Sequence, residues 1–440
     1  MGFLGEEPVH TPHLDRFATT GLVLDQVSST YPLCSPYRGM LMTGKYPHAN
    51  RVLTNCNSRS AKYGVELQES DCCWSDILRG RGYEMGYIGK WHLDAPREPY
   101  IDCANNRGEP KWNEWCPPHR RHGFNFWYSY GTYDYHDRPM YWRTDAGREE
   151  FHFVDQWGPE HEADMAIRYL RNEGGTRRDP AKPFSLVVSM NPPHMPYELV
   201  PRKYVETYAD LSIEQLCNRP NIPPAGTEFG DHYRANIRNY YAMITGVDEQ
   251  FGRILKALEE CGLAENTLVV FTSDHGDCLG IHGEVSKNNH YEESLRVPFI
   301  ARWPNRIPCR RDDLLLSAPD IYPTLMGLLG FEEAIPESVE GSNHAGIFLG
   351  GEGVRPSSQL YLSIKPERPD EGRRGVRTKT HTLMIERQGT EETVVLHDNI
   401  RDPFQLENIA ARDRERVDAL SGELDQWLRK TGDPWLREVS

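Results

Sequence analysis

Apolar residues recur along this chain at two spacings, and the switches between them lay out the architecture. Thr11-Pro12-His13-Leu14-Asp15-Arg16-Phe17 carries a cap, a first-turn proline and core-facing Leu14, Phe17 and Ala18, and Gly21 closes that helix. Leu22-Val23-Leu24 follows as a short strand. Trp74, Ile77 and Leu78 mark another helix, broken by Gly80 and Gly82, and Tyr83 to Ile88 reads as a strand. Residues 95 to 157 show no clean period and read as irregular. Ala163, Ile167 and Leu170 give a helix, and Phe184 to Ser189 a strand. Met243, Val247, Phe251, Ile254, Leu255 and Leu258 share one face of a longer helix that Gly262 stops. Leu268 to Phe271 is a buried strand, and Val297 to Ala301 is a further one.

Strands and helices thus alternate, with polar clusters at strand ends. That is the pattern of an α/β fold: a mostly parallel central sheet sandwiched by helices, with its site at the carboxyl ends of the strands. After residue 355 the texture changes. Leu360 to Ile364, Gly375 to Arg377, Leu383 to Ile385 and Val394 to Leu396 are short strands between charged turns. Val417, Leu420, Leu424, Trp427 and Leu428 line one face of a last helix. The expected organisation is a large domain over 1–355 and a small antiparallel sheet plus helix over 356–440.

Composition narrows the function classes. A net charge of −15 over 440 residues argues against a general nucleic-acid or anionic-membrane binder. No apolar run reaches the length of a membrane span, and no signal peptide stands at Met1. Of the ten cysteines, Cys103 and Cys116 bracket a Trp-rich loop and are candidates to pair, and no Cys-x-x-Cys occurs. The redox compartment stays open.

The candidate chemistry begins at Cys34-Ser35-Pro36-Tyr37-Arg38-Gly39-Met40-Leu41-Met42-Thr43-Gly44. Pro36 sits in the first turn of a helix that stops near Gly44. A reactive group at position 34 faces the free N–H groups of that helix, a seat for an anion, and Arg38 adds a fork suited to tetrahedral oxyanions. Four more stretches cluster polar residues. They are Gly89-Lys90-Trp91-His92-Leu93, Asn191-Pro192-Pro193-His194, Thr272-Ser273-Asp274-His275-Gly276-Asp277, and Lys287 ahead of Tyr291-Glu292-Glu293. Lys90 and His92 alternate along an extended backbone and point the same way.

In order and spacing these stretches resemble the sulfatases of the alkaline-phosphatase-like superfamily. Ala318-Pro319-Asp320-Ile321-Tyr322-Pro323 and the turn from His397 to Leu406 also resemble the family, so the likeness runs from about residue 8 to the end. The resemblance implies a sulfuric ester hydrolase whose Cys34 is oxidised to formylglycine by a maturation enzyme. It implies that the aldehyde hydrate is the nucleophile and Arg38 part of the catalytic group. Lys90 and Lys287 would hold the sulfate. His92 would take a proton as sulfate leaves, and His194 would contact the sulfate and protonate the leaving alcohol. Asp274, His275 and the modified Cys34 would bind a divalent metal, calcium in most of the family, although many relatives carry Asn where His275 stands. Glu292 and Arg296 would be structural.

The likeness has one gap. Sulfatases begin with a strand ending in paired metal-binding aspartates, and Gly2-Phe3-Leu4-Gly5 resembles the segment just after that pair. The expectation is that Met1 is an internal methionine of a longer protein or that the gene is truncated, leaving a weak calcium site. Substrate is read from residues 112 to 157, where fourteen aromatics are interleaved with Arg120, Arg121, His122, Arg138 and Arg143. These suit a sulfated glycan or, equally, the packing of an insertion. The rival readings are a phosphonate monoester or phosphodiester hydrolase on the same scaffold, and a non-catalytic relative that only binds sulfated glycans.

Overall fold

The computed structural model describes residues 1–173 and 178–436. Nine strands build the large part of the molecule: β1 (Leu22–Leu24), β2 (Glu84–Lys90), β3 (Phe126–Tyr130), β4 (Met140–Arg143), β5 (His152–Phe153), β6 (Phe184–Ser189), β7 (Val269–Thr272), β8 (Phe299–Arg302) and β9 (Arg310–Asp312). They form two sheets, ordered β5-β4-β3-β2-β6 and β7-β8-β1-β9. β2 pairs parallel with both β3 and β6, and β1 with β9. The remaining pairings are antiparallel, so the sheets are mixed.

β2 is buried at all seven positions, as a strand covered on both faces must be. Gly86 and Gly89 permit this: a Cβ at Gly86 would meet Leu186 at 2.8 Å, and one at Gly89 the Ser189 carbonyl at 2.3 Å. The helix Glu228–Glu260 packs across the sheets and starts well before its apolar stripe, with Thr227 capping its N-terminus. Its Phe251 packs edge-on against Phe17 and Phe271 at 5.1 and 5.3 Å. β6 and β7 behave differently from β2. All their residues are half-buried, and among the described residues neither strand has a partner on its second edge. A cavity of about 1570 Å³ separates them.

The stretch from 95 to 157, expected to be irregular, contains β3, β4 and β5. Its strands are short and unalternating because Trp127, Tyr128, Tyr130, Tyr141 and Trp142 are buried on both faces. The C-terminal part is an antiparallel meander of β10 (Gln359–Lys365), β11 (Arg368–Arg377), β12 (His381–Gln388) and β13 (Glu391–Asp398), covered by the helix Arg414–Lys430. It shares a core with the segment around Cys34: Tyr31, Tyr37, Met40 and Tyr46 pack with Leu360, Leu362, Leu383, Leu420 and Leu424. Backbone joins them too, through the Leu362 N–H to the Thr30 carbonyl at 2.9 Å. Among the described residues, no helix is long and apolar enough to cross a membrane. All ten cysteines are free, so Cys103 and Cys116 do not pair. Cys103 Sγ instead accepts from the Asn113 amide at 3.6 Å.

Candidate active site

The helix Cys34–Thr43 begins after an extended Leu33 and ends at Gly44, whose φ of 65° lets its N–H cap Met40. Cys34 occupies its first position and is 2% exposed. Its Sγ lies 3.3 Å from His275 Nε2 and 3.7 Å from Lys90 Nζ. Burial alone raises a thiol pKa, but Lys90, His275 and Lys287 outweigh it and hold Cys34 well below its ordinary value.

His275 Nδ1 faces the Gly276 carbonyl at 2.8 Å and must donate to it. Against the pull of burial, Asp274 and Cys34 raise its pKa, and its Nε2 faces the sulfur. Asp274 follows β7. Its carboxylate accepts from Arg38 at 3.1 Å and from the His275 N–H at 3.1 Å. Although burial opposes ionisation, His275, Arg38 and the two lysines keep it charged far below the usual carboxylate range. Ser29 Oγ donates to the Asp274 carbonyl at 2.6 Å. Arg38 also donates to the Lys90 carbonyl and to Ser189 Oγ, both at 2.8 Å, and so ties the ends of β2, β6 and β7 together.

Lys90 is buried at the end of β2 and donates to Asn191 Oδ1 at 3.0 Å. His92 arrives differently from the extended alternation read in the sequence. β2 ends at Lys90, and His92 turns into the left-handed region at φ 53°. Its Nε2 donates to the Cys56 carbonyl at 3.0 Å, which leaves Nδ1 as a buried bare acceptor beside position 34. His194 donates from Nδ1 to the Met195 carbonyl at 2.7 Å, with Asp134 Oδ1 at 3.5 Å. Burial, then Lys287 and Lys90, hold its pKa well below the ordinary value. Lys287 makes no hydrogen bond or ion pair among the described residues, yet its charge is felt by Cys34, His194 and Asp274. The eight residues singled out in the sequence thus converge on one site. Glu292 and Arg296 are bonded outward, to Arg377 and to Glu6.

Two members escaped the sequence reading. Asn191 links Lys90 to Asp134, donating to Asp134 Oδ1 at 3.1 Å, and Asp134 flanks His194. Asn191 stands directly before the Pro-Pro-His stretch, and that adjacency was its one signal. The cationic loop needs correction as well. Arg120 pairs with Asp94 and Glu66, Arg121 donates to backbone carbonyls, and His122 pairs with Asp76. They brace the fold and are not free for a substrate's sulfate. Most of the fourteen aromatics are buried as well, whereas Tyr135 and Phe153 stand open, with Arg138 over the Phe153 ring at 5.1 Å.

The ligand atoms of Cys34, Asp274 and His275 lie within 4.8 Å of one another. Calcium takes six to eight oxygens. Here one carboxylate, already shared with Arg38, and one ring nitrogen are offered. The residues present do not fill a calcium shell.

A cysteine at a helix N-terminus in a mixed α/β fold, ringed by lysine, arginine and histidine, defines a site built to hold an anion. The chain belongs to the sulfatase family: the Sulfatase model matches residues 1–331, and the C-terminal model of N-sulphoglucosamine sulphohydrolase matches 280–432. It is 39% identical to an endo-4-O-sulfatase of Bacteroides thetaiotaomicron over 100% of this chain and 88% of that protein. It is 31% identical to an ulvan-active sulfatase of Formosa agariphila, over 98% and 78%. A solved structure of a Bacteroides fragilis protein bearing the sulfatase name YidJ superposes with a TM-score of 0.95 at 50% identity, covering 99% of this chain and 93% of that one. The enzyme is a sulfuric ester hydrolase, and membership of the family implies a divalent metal and a formylglycine.

Proposed function

We propose that this sulfatase cleaves sulfate esters from a sulfated glycan, using a formylglycine made from Cys34 by a formylglycine-generating or equivalent maturation enzyme. The observation that carries the reading is the ring around position 34: Lys90 at 3.7 Å, His275 at 3.3 Å, Lys287 close by, and the N-terminus of the Cys34–Thr43 helix. Once modified, position 34 would supply a hydrated aldehyde as the nucleophile.

The chain's own residues account for the rest. Lys90 and Lys287 bind the sulfate and offset the charge that builds on it. Arg38 fixes the Lys90 backbone and Asp274, and so sets the geometry of both. His92 Nδ1, bare and facing position 34, is placed to take a proton there. Burial, with the repulsion of Lys287 and Lys90, holds the His194 pKa well below its ordinary value. A bound sulfate offsets those lysines and lets His194 carry the proton that the leaving alcohol needs. Asp274 and His275 are the residues that would hold calcium, two ligands of the larger set it requires.

Two observations support a glycan. The relatives are named for endo-4-O- and ulvan activity. Tyr135 and Phe153, 48% and 39% exposed, flank Tyr133, whose carbonyl accepts from Asn191. That is an open aromatic platform beside the site, of the kind on which sugar rings stack.

The test is mass spectrometry of the peptide holding position 34, paired with desulfation assays. The expected result is an aldehyde at 34 and sulfate release from sulfated oligosaccharides faster than from phosphodiesters or phosphonates. Turnover of aryl sulfates alone would sink the glycan assignment. Preference for phosphorus esters would favour the phosphonate or phosphodiester reading. An intact thiol with glycan binding and no turnover would leave only a binding relative.

A further inference from the structure

Away from the active site the fold brings together a second group of metal-ligating side chains. Cys73 Sγ, an Asp76 carboxylate oxygen and a His122 ring nitrogen lie within 4.8 Å of one another. Two separate elements supply them. Cys73 is the N-cap of the helix Trp74–Gly80, and Asp76 stands in its first turn. Asp76 Oδ2 accepts from the Cys73 N–H at 2.9 Å and faces His122 Nδ1 at 3.1 Å. His122 comes from a distant loop whose backbone is bent to present it, with φ 44° at His122 and φ 83° at Gly123. That loop presses on the helix so closely that a Cβ at Gly123 would meet the Ser75 carbonyl at 2.8 Å. Cys73 is 0% and His122 6% exposed, while Asp76 is open to solvent on one side. An ion pair and a helix cap account for Asp76 and His122. They do not account for Cys73, because the residues that cap a helix well are Ser, Thr, Asp and Asn. Here a buried thiol stands against an imidazole and a carboxylate instead. Of the charges that reach it, Asp76 and Asp71 are negative, and Lys45 is held by Asp71 at 2.8 Å.

We propose that Cys73, Asp76 and His122 form a zinc site that staples the loop ahead of β3 to the helix ahead of β2. The donor set selects the metal: calcium and magnesium take oxygen ligands, whereas a thiolate, an imidazole and a carboxylate together suit zinc. The spacing suits it as well. Around a tetrahedral zinc with bonds of about 2.0–2.1 Å, neighbouring oxygen and nitrogen ligands stand roughly 3.3 Å apart, close to the 3.1 Å between Asp76 Oδ2 and His122 Nδ1. Binding exchanges the Cys73 thiol proton for the metal and releases that proton to solvent. His122 coordinates through Nδ1 and carries its proton on Nε2. The fourth position lies on the open side, for a water or for the exposed neighbour Cys72. The staple braces the floor beneath Lys90: Trp74 packs edge-on against Phe124 at 5.9 Å, Phe124 against Tyr87 at 5.2 Å, and the Tyr87 hydroxyl donates to the Lys90 carbonyl at 2.6 Å. The site is structural, and the inference is independent of the reaction proposed above.

The experiment titrates the full chain with cobalt(II), a spectroscopic stand-in for zinc, and then with zinc. Cys34→Ser is introduced first, because Cys34, Asp274 and His275 form the other cysteine-bearing group that could take up the metal. Uptake of one equivalent is expected, with the visible absorption of tetrahedral cobalt and a thiolate-to-cobalt charge-transfer band, and zinc is expected to abolish both. Adding Cys73→Ser is expected to remove the charge-transfer band. Adding His122→Ala is expected to weaken zinc binding at least about 100-fold. Adding Cys72→Ser is expected to leave a charge-transfer band, since Cys73 still ligates. Three results overturn the inference: no cobalt uptake with or without Cys34→Ser, an octahedral spectrum lacking the charge-transfer band, or a band that survives Cys73→Ser. The first two need no change within the cluster, so they stand whether or not the Cys73 and His122 variants fold.

Discussion

Lys90 shows how much one side chain carries. It is buried, 3.7 Å from position 34, and anchored to Asn191. Lys90→Ala is expected to lower kcat/KM by roughly 10²–10³, the scale for removing one preorganised donor to a developing anion. Asn191→Ala, which frees the ammonium without deleting it, is expected to cost less; steady-state kinetics on one substrate separates the two. Glu162 gives a prediction away from the site. Burial raises its pKa to about 8 against the pull of the Tyr141 and Tyr130 hydroxyls, and its second oxygen has no partner. The folded protein therefore holds this proton, and the associated stability, full below about pH 4.5, is lost progressively as pH climbs from there to 8. Glu162→Gln is expected to leave Tm nearly unchanged near pH 4 and to raise it increasingly up to about pH 8. Motif residues such as Cys34, Lys90 and Asp274 were legible because each sits on a short contiguous pattern. The Asn191–Asp134 bond joins positions 57 apart, and no local pattern announces it.

At the scale of elements, strands bounded by glycine and charge were legible, β2, β6 and β7 above all. β3 to β5 were not, because aromatic residues buried on both faces erase the alternation that marks a half-buried strand. Exposure sorted the aromatic loop where composition alone left two readings equal. Tyr135→Ala with Phe153→Ala is expected to raise KM for a sulfated oligosaccharide while leaving aryl sulfate kinetics in place. Equal losses on both substrates would reduce the platform to a structural role. The last helix and the meander are joined by a fully buried pair, Arg374 with Asp433 at 2.6 Å. Although burial opposes it, His48 and Arg374 bring the Asp433 pKa down to about 2. That contribution, about 2 kcal/mol, is present above the ordinary carboxylate pKa and is lost as pH falls from 4 towards 2. Asp433→Ala is expected to cost about 3–5 kcal/mol in urea melts, since it leaves Arg374 buried without a counter-charge.

For the whole molecule, the two halves of the site stand in different states. The cationic ring is assembled, while Asp274 and His275 offer only part of a calcium shell. Calcium added to the 1–440 chain is expected to raise Tm only weakly. Thermal melts with and without chelator measure this. The arrangement around Cys34 also sets a clock. Residues that enclose it arrive late in synthesis: His275 follows by 241 positions, and Ile364, bonded to Tyr31 just ahead of it, by 333 from that tyrosine. At about 5–20 residues per second, translation leaves the Cys34 segment without its final cover for roughly 15–70 s. Any enzyme that must reach this buried sulfur has that interval on the nascent chain, and a slower ribosome lengthens it.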